Sequence, residues 1–157
     1  MLVERKENRT MTKAIYFDMD GTIANLYGVE NWLPMLRNED TTPYAKANPM
    51  VNMNSLARIL NKLHTNGWTL GIVSWTAKSG TDEYNERVRI EKIKWLKTHL
   101  TSVKFDEIHI VKYGTPKEEI VSNPMGILFD DEEQNRTNWK GIAYDVNEII
   151  ETLKGVA

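Results

Sequence analysis

The 157-residue chain contains no cysteine, so neither a disulfide nor a thiolate metal site can form. A length of 157 residues suits one domain with a hydrophobic core of its own. Strong charge of one sign is also lacking. The formal net charge is −2, and that balance names no polyanionic partner. No apolar run approaches the roughly 18 residues that span a bilayer, so no membrane association is expected. The opening stretch "MLVERKENRT" has both charge signs and lacks the apolar core of a signal peptide. Residues 1–12 are read as a polar N-terminal tail, and 13–157 as a single domain. A cysteine-free chain is compatible with a reducing compartment, and a cytoplasmic location is the expectation. Internal repeats and low-complexity segments are absent. The three histidines, His64, His99 and His109, show no ligand spacing and read as structural.

What is present is an alternation of strand and helix signals. Apolar runs rich in strand formers fall at 14–18 ("AIYFD"), 68–74 ("WTLGIVS"), 107–111 ("EIHIV"), 126–130 ("GILFD") and 141–145 ("GIAYD"). Between the first two, Leu56, Ile59, Leu60 and Leu63 recur at helical spacing, with Gly67 placed to end the helix. A charged helix is expected over about 82–100, with Ile90, Ile93, Leu96 and Leu100 on one face. "TPKEEIV" (115–121) opens with Thr115 and Pro116, and Glu118 completes the pattern of a capping box. "NEIIETLKG" (147–155) reads as a closing helix. Strands separated by helices predict an α/β fold, a Rossmann-like parallel sheet flanked by helices. Segment 25–53 stands outside the alternation and is read as a small flap inserted after the first strand, with a short helix near 29–37.

Ligands of such sheets bind beyond the carboxyl ends of the strands. Asp18, Ser74, Lys112 (with Lys117 just after it) and Asp130 stand at four of those ends. In "FDMDGTIAN" (17–25), Asp18 and Asp20 are separated only by Met19, and Gly21 suggests a sharp turn. Two carboxylates this close need a cation or a proton between them. The pair therefore implies a divalent metal, or one ionised and one protonated acid. Oxygen ligands without histidine or cysteine favour a hard cation such as Mg²⁺. A carboxylate can also be a nucleophile. Attack by Asp18 on phosphorus would give an aspartyl phosphate. Mg²⁺ and a lysine ammonium would offset the repulsion between two anions, and Asp20 could protonate the leaving oxygen and then activate water.

"DMDGT" after an apolar strand resembles the first motif of the haloacid dehalogenase (HAD) superfamily, in its phosphatase form. "IVS" ending at Ser74 is similar to the second motif, and "ILFDD" ending at Asp130 and Asp131 to the acidic fourth. A lysine near the start of the intervening helix resembles the third, which favours Lys117 over Lys112. The resemblance runs in order from about Ala14 to Tyr144. It implies that Asp18 is nucleophile and Mg²⁺ ligand, and that Asp20 is acid/base with its carbonyl on the metal. It implies too that Ser74 and Lys117 bind the phosphoryl group, and that Asp130 and Asp131 complete the metal site. Gly21 and Thr22 belong to the same phosphate-binding loop, and the threonine fits phosphatases better than dehalogenases or mutases.

Plainer readings compete at several positions. A calcium loop starting at Asp18 would need glutamate at its twelfth position, where Val29 stands. Trp75 is a candidate for stacking on a substrate ring. Tyr27, Trp32 and Tyr44 either line a pocket or pack the flap. The basic residues of 87–104 read as a solvated face before they read as a nucleic-acid surface, because acids dilute them. The expected function is a Mg²⁺-dependent phosphomonoester hydrolase with a minimal cap. Its substrate class is a small phosphorylated metabolite such as a nucleotide. "ILFDD" and the short insertion look similar to deoxyribonucleotidase-type members. The alternatives are a phosphatase for nucleic-acid ends or another macromolecule, and a non-catalytic binding module on the same fold.

Overall fold

Five strands form one parallel sheet: β1 (Ala14–Phe17), β4 (Thr69–Trp75), β5 (Glu107–Val111), β6 (Ile127–Phe129) and β7 (Ile142–Tyr144). The spatial order is β5-β4-β1-β6-β7. The computed structural model describes residues 13–157, and the tail expected at 1–12 lies outside them. The chain winds outward from β1 through β4 to β5, then crosses back to β6 and β7. The winding therefore reverses between β1 and β6, which is where a doubly wound sheet opens a crevice at its carboxyl edge. Phe17 stands opposite both Ile72 and Phe129 in the register. The Asp18 N–H donates to Phe129 O at 2.9 Å, so the residues after β1 and β6 stay side by side.

Alternation of side chains along β1 divides the core. Ile15 and Phe17 face one way, with Leu70, Ile72, Ile127 and Phe129. That face is covered by α3 (Met53–Thr65), α4 (Asp82–His99) and α7 (Ile149–Val156), through Leu56, Leu60, Leu63, Trp95, Leu96, Ile149 and Leu153. Ala14 and Tyr16 face the other way and pack with Val73, Leu128, Val121 and Trp139. The helix α3 starts where the Asn52 side chain accepts from Ser55 N, and it ends before Gly67, whose φ is +91°. Residues 24–49 contain a two-residue antiparallel pair, β2 (Ala24–Asn25) with β3 (Asn48–Pro49), and the helices α1 (Trp32–Arg37) and α2 (Thr42–Lys46). This segment is pinned to the first turns of α4. Leu26 and Tyr44 pack with Ala77, Tyr84 and Val88, and the Tyr84 hydroxyl donates to Asp40 O at 2.9 Å.

Three sequence expectations are adjusted. Ile90 is exposed, and the buried stripe of α4 is Tyr84, Val88, Lys92, Trp95 and Leu96. Spacing of four residues carries a lysine into that stripe, which a purely apolar template passes over. The helix expected at 115–121 is the four-residue α5 (Lys117–Ile120), with Pro116 at its N-cap and no side-chain cap. The capping box does not form because Pro116 and not Thr115 is the N-cap, and the Thr115 hydroxyl donates to Lys112 O at 2.7 Å, closing the preceding turn. A further short helix, α6 (Glu133–Asn138), has no apolar periodicity and was not expected.

The chain leaving α5 is clamped to the sheet by one carboxylate. Glu107 on β5 accepts from the Tyr16 hydroxyl at 2.7 Å and from Ser122 N at 2.9 Å, also bonds the Ser122 hydroxyl, and lies 2.8 Å from His109 Nε2. Burial opposes its ionisation, but these hydrogen bonds outweigh burial and hold the carboxyl near 2, below its ordinary 4.5. A depressed native pKa gives stability that is complete above the unfolded value and lost as pH falls through the folded one. Glu107→Gln is therefore expected to destabilise the fold by about 1–3 kcal/mol at pH 7. Urea unfolding across pH should show the gap between wild type and variant closing between pH 4.5 and about 2. A gap independent of pH would show that the charge is not what stabilises the clamp.

Candidate active site at the carboxyl edge of the sheet

Asp18 leaves β1 at the point where the winding reverses, and it is almost fully buried. Its Oδ1 accepts from Lys117 Nζ at 3.0 Å and its Oδ2 from the Thr22 hydroxyl at 3.1 Å. Thr22 is held in turn, because its Oγ1 accepts from Asp131 N at 3.2 Å. The loop between turns at Gly21, whose φ is +78°. A Cβ at Gly21 would collide with the Asp131 carboxylate, so glycine is what lets the two acidic loops meet. The N–H groups of Gly21 and Thr22 donate within this loop, to Ala24 O at 2.9 Å and Met19 O at 3.0 Å.

Asp130 follows β6 and has no exposed surface. Its Oδ2 accepts from Lys117 Nζ at 2.7 Å and Asn135 Nδ2 at 3.1 Å, and its Oδ1 from Glu132 N at 2.9 Å. Arg136 donates to its backbone oxygen at 3.0 Å. The helix α6 thus exists locally to hold Asp130, and its partners Asn135 and Arg136 carried no periodic signal in the sequence. Lys117 projects from the first residue of α5 into the space between the two strand ends. Two of its three protons go to Asp18 and Asp130. The third has no acceptor among the described residues, and the Trp75 ring lies over the ammonium at 5.1 Å. Lys112 is exposed and does not line the cleft.

One carboxylate oxygen each from Asp18, Asp130 and Asp131 can be chosen so that all three lie within 4.8 Å of one another. Their electrostatics differ. Burial disfavours charge on Asp18, but the ammoniums of Lys117 and Lys92 and its hydrogen bonds outweigh burial and hold it below the ordinary carboxylate range. Burial, then the Asp18 charge, pushes Asp130 up to about 6 and Asp131 up to about 8. Burial also disfavours the charged form of Lys117, yet Asp18 and Asp130 raise it overall, so the ammonium stays charged. Asp18 thus stays ionised beside two carboxyl groups whose ionisation is disfavoured, with the Lys117 ammonium between Asp18 and Asp130. Three convergent hard oxygen donors, two of which resist ionising without a nearby cation, suit a divalent ion of the Mg²⁺ kind.

Asp20 lies on a different support. Burial, with the Asp18 charge, pushes its carboxyl up, against the pull of Lys92. Its Oδ2 accepts from Lys92 Nζ at 2.7 Å. Lys92 also donates to Ser74 Oγ at 2.9 Å and Trp75 O at 2.7 Å. Ser74 has no exposed surface and does not line the cleft. Thr76, two residues on, does line it, and its buried hydroxyl has no partner. Lys92 and Thr76 were both missed by motif reading. The signal for Lys92 was available as a lysine in the middle of the stripe formed by Tyr84, Val88 and Leu96.

No protein-family model matches the chain, and no curated protein matches it. The geometry therefore carries the functional argument. The carboxylates open into a cleft of about 790 Å³. Asp18, Asp20, Asp131 and Lys117 line it, together with Tyr27, Trp32, Tyr44, Trp75 and Tyr113. Tyr27 and Trp32 meet edge to face at 4.9 Å, and Trp75 lies against Tyr113 at 4.8 Å. Trp75 is fixed by donating from Nε1 to Thr115 O at 2.8 Å. Tyr44 is mostly core, with its ring over Lys92 at 5.4 Å. The histidines stand apart from the cleft: His64 pairs with Asp106, His109 with Glu107, and His99 packs on Trp95.

The two lysines weighed from the sequence differ in a way that stability measures without any assay of activity. Removing Lys117 strands two buried carboxylates. Lys117→Met is expected to cost about 3–5 kcal/mol, whereas Lys112→Met should stay within about 0.5 kcal/mol of wild type. Urea unfolding of both variants at pH 7 in a chelator checks this. Equal effects would mean that Lys117 does not bridge the two acids in solution.

Proposed function

We propose that the protein is a Mg²⁺-dependent phosphomonoester hydrolase of the haloacid dehalogenase type, working through an aspartyl phosphate on Asp18. The observation that supports this best is the Lys117 ammonium bonded at once to Asp18 and Asp130, at the ends of adjacent parallel strands, with Asp131 close enough to share a cation. That is the arrangement an anionic nucleophile needs before it can approach an anionic phosphate. Asp18 remains ionised in it, Thr22 and Lys117 fix its two oxygens, and the third proton of Lys117 is available to a phosphoryl oxygen.

Asp18, Asp130, Asp131 and the carbonyl of Asp20 would hold Mg²⁺, which when bound supplies positive charge against the phosphoryl oxygens. The chain's own residues do the rest. Asp18 forms the new O–P bond as the ester P–O bond breaks. Asp20 gives its proton to the leaving oxygen and ends as a carboxylate. Asp20 then takes a proton from water, whose oxygen attacks phosphorus and releases Asp18 and inorganic phosphate. Charge is conserved in both steps. Thr76 lines the cleft beside these groups.

A cleft of about 790 Å³ walled by tyrosine and tryptophan falls in the range of small-ligand sites. Flat rings on two sides suit a base, so a nucleotide is the favoured substrate class. No described helix is long and apolar enough to cross a membrane; a cytoplasmic location is part of the proposal and rests on the cysteine-free sequence. A panel of nucleotides, sugar phosphates and phosphorylated oligonucleotides distinguishes the metabolite reading from one in which a nucleic-acid end is the substrate.

Two measurements test the proposal. Asp18→Asn keeps the shape but removes the nucleophile, and turnover of an aryl phosphate should fall by about 10³-fold or more. Near-normal turnover in that variant would falsify the covalent route. Asp130→Asn should raise the Mg²⁺ concentration for half-maximal activity by at least about tenfold, one 1.4 kcal/mol step. Calorimetric titration of Mg²⁺ should show the same weakening without substrate. An unchanged Mg²⁺ dependence would remove Asp130 from the metal site.

A further inference from the structure

Lys92 is a charged residue buried in the core side of α4, with 1 % of its surface exposed. An ammonium has three protons, and here each has an acceptor: Asp20 Oδ2 at 2.7 Å, Ser74 Oγ at 2.9 Å and Trp75 O at 2.7 Å. The Tyr44 ring lies over it at 5.4 Å. No proton of Lys92 remains for a substrate oxygen, so Lys92 is not a phosphate-binding cation. Lys117 contrasts with it, having two acceptors and one proton to spare. Fixing Oδ2 of Asp20 has a directional consequence. The other oxygen, Oδ1, has no hydrogen-bond partner among the described residues, and Asp20 lines the cleft. The proton that leaves with the ester oxygen must therefore sit on Oδ1. Ser74 and Trp75 O belong to the end of β4, so the sheet itself holds Lys92 in place.

We propose that Lys92 is the positioning residue for the general acid, locking Oδ2 of Asp20 so that Oδ1 faces the leaving group, and that Ser74 anchors Lys92 rather than binding the phosphoryl group. The inference rests on the hydrolase reading above. It assigns the strand-end serine a different partner from the one its sequence motif implies, and gives the buried lysine of α4 a role in proton delivery. Removing Lys92 leaves Asp20 in the cleft but free to turn. The bond from Asp18 to phosphorus can still form. The ester oxygen then leaves without a well-aimed proton.

That failure has a signature. Dinitrophenolate leaves without needing a proton, whereas an alkoxide cannot. The value of kcat/KM reports transfer to Asp18 and not the later hydrolysis. With 2,4-dinitrophenyl phosphate and an alkyl phosphate as the two substrates, Lys92→Met should lower kcat/KM by less than about threefold on the first and at least about thirtyfold on the second. Asp20→Asn should show the same split more strongly, and adding Lys92→Met to it should cost little more. Equal losses on both esters, or full additivity with Asp20→Asn, overturn the proposal. Ser74→Ala leaves the charge in place, and it gives the same readout should Lys92→Met fail to fold. A matching but smaller split is expected, and a rise in KM alike for both esters would return Ser74 to phosphate binding. Wild-type protein that hydrolyses neither ester would refute the hydrolase reading instead. The crystal structure of the variant then decides the positioning claim, which fails if Asp20 has not moved.

Discussion

The ammonium of Lys117 between Asp18 and Asp130 is the contact on which the rest of the site depends. Buried carboxylates at neighbouring strand ends repel one another, and burial weakens the screening that water would give. The sheet brings them together regardless, because Asp18 and Asp130 are the residues directly after paired positions of β1 and β6. Lys117 makes that placement tolerable. It reaches the gap because α5 begins at the lysine itself, after the turn closed by Thr115 and Lys112. Glu107 holds the far end of α5 to β5 and β1. Chemistry and fold thus share one set of constraints, in which the charges that threaten the core are the ones that define the site.

A second buried ammonium repeats the theme on the other side of β1. Lys117 comes from the face covered by Val121 and Trp139, and Lys92 from the face covered by α3, α4 and α7. Each is matched to one acid of the "DMD" stretch. The two acids therefore have different hydrogen-bonded ammoniums within a shared field: Asp18 is held charged, while burial pushes Asp20 up. The proposed mechanism asks opposite tasks of these two carboxylates, and their environments differ in the matching sense.

Much of this was legible in the sequence because it depends on periodicity. The five strands and the long helices α3 and α4 follow from apolar runs and from helical spacing, whereas the strand order comes from the structure. The rule that ligands meet parallel sheets at strand ends brought Asp18, Lys117 and Asp130 forward. Less legible were groups whose role comes from contacts distant in sequence. Lys92 reaches Asp20 across 72 positions, and on a helical wheel a lysine reads as solvated until its neighbours are known. Asn135 and Arg136 sit on a six-residue polar helix that exists because Asp130 needs donors. Ser74 was legible as a strand-end hydroxyl, but its side chain is buried against Lys92 of α4 and does not line the cleft. The capping pattern at Thr115 failed for a local reason, since the helix begins one residue later than the pattern assumes, with Pro116 at its N-cap.

The two-residue pairing of Ala24–Asn25 with Asn48–Pro49 means that the segment between them leaves and rejoins the fold at one place. Its ends are neighbours, so its length is nearly decoupled from the sheet, and the entropy of closing such an excursion grows only logarithmically with residue number. The walls contributed by Tyr27, Trp32 and Tyr44 are carried on this excursion, whereas the acids and both ammoniums are not. Under the proposed function, one part of the aromatic wall and the reacting groups would therefore lie on separable stretches of chain, while Trp75 and Tyr113 stay with the sheet. Descendants of this sequence are free to exchange one without rebuilding the other.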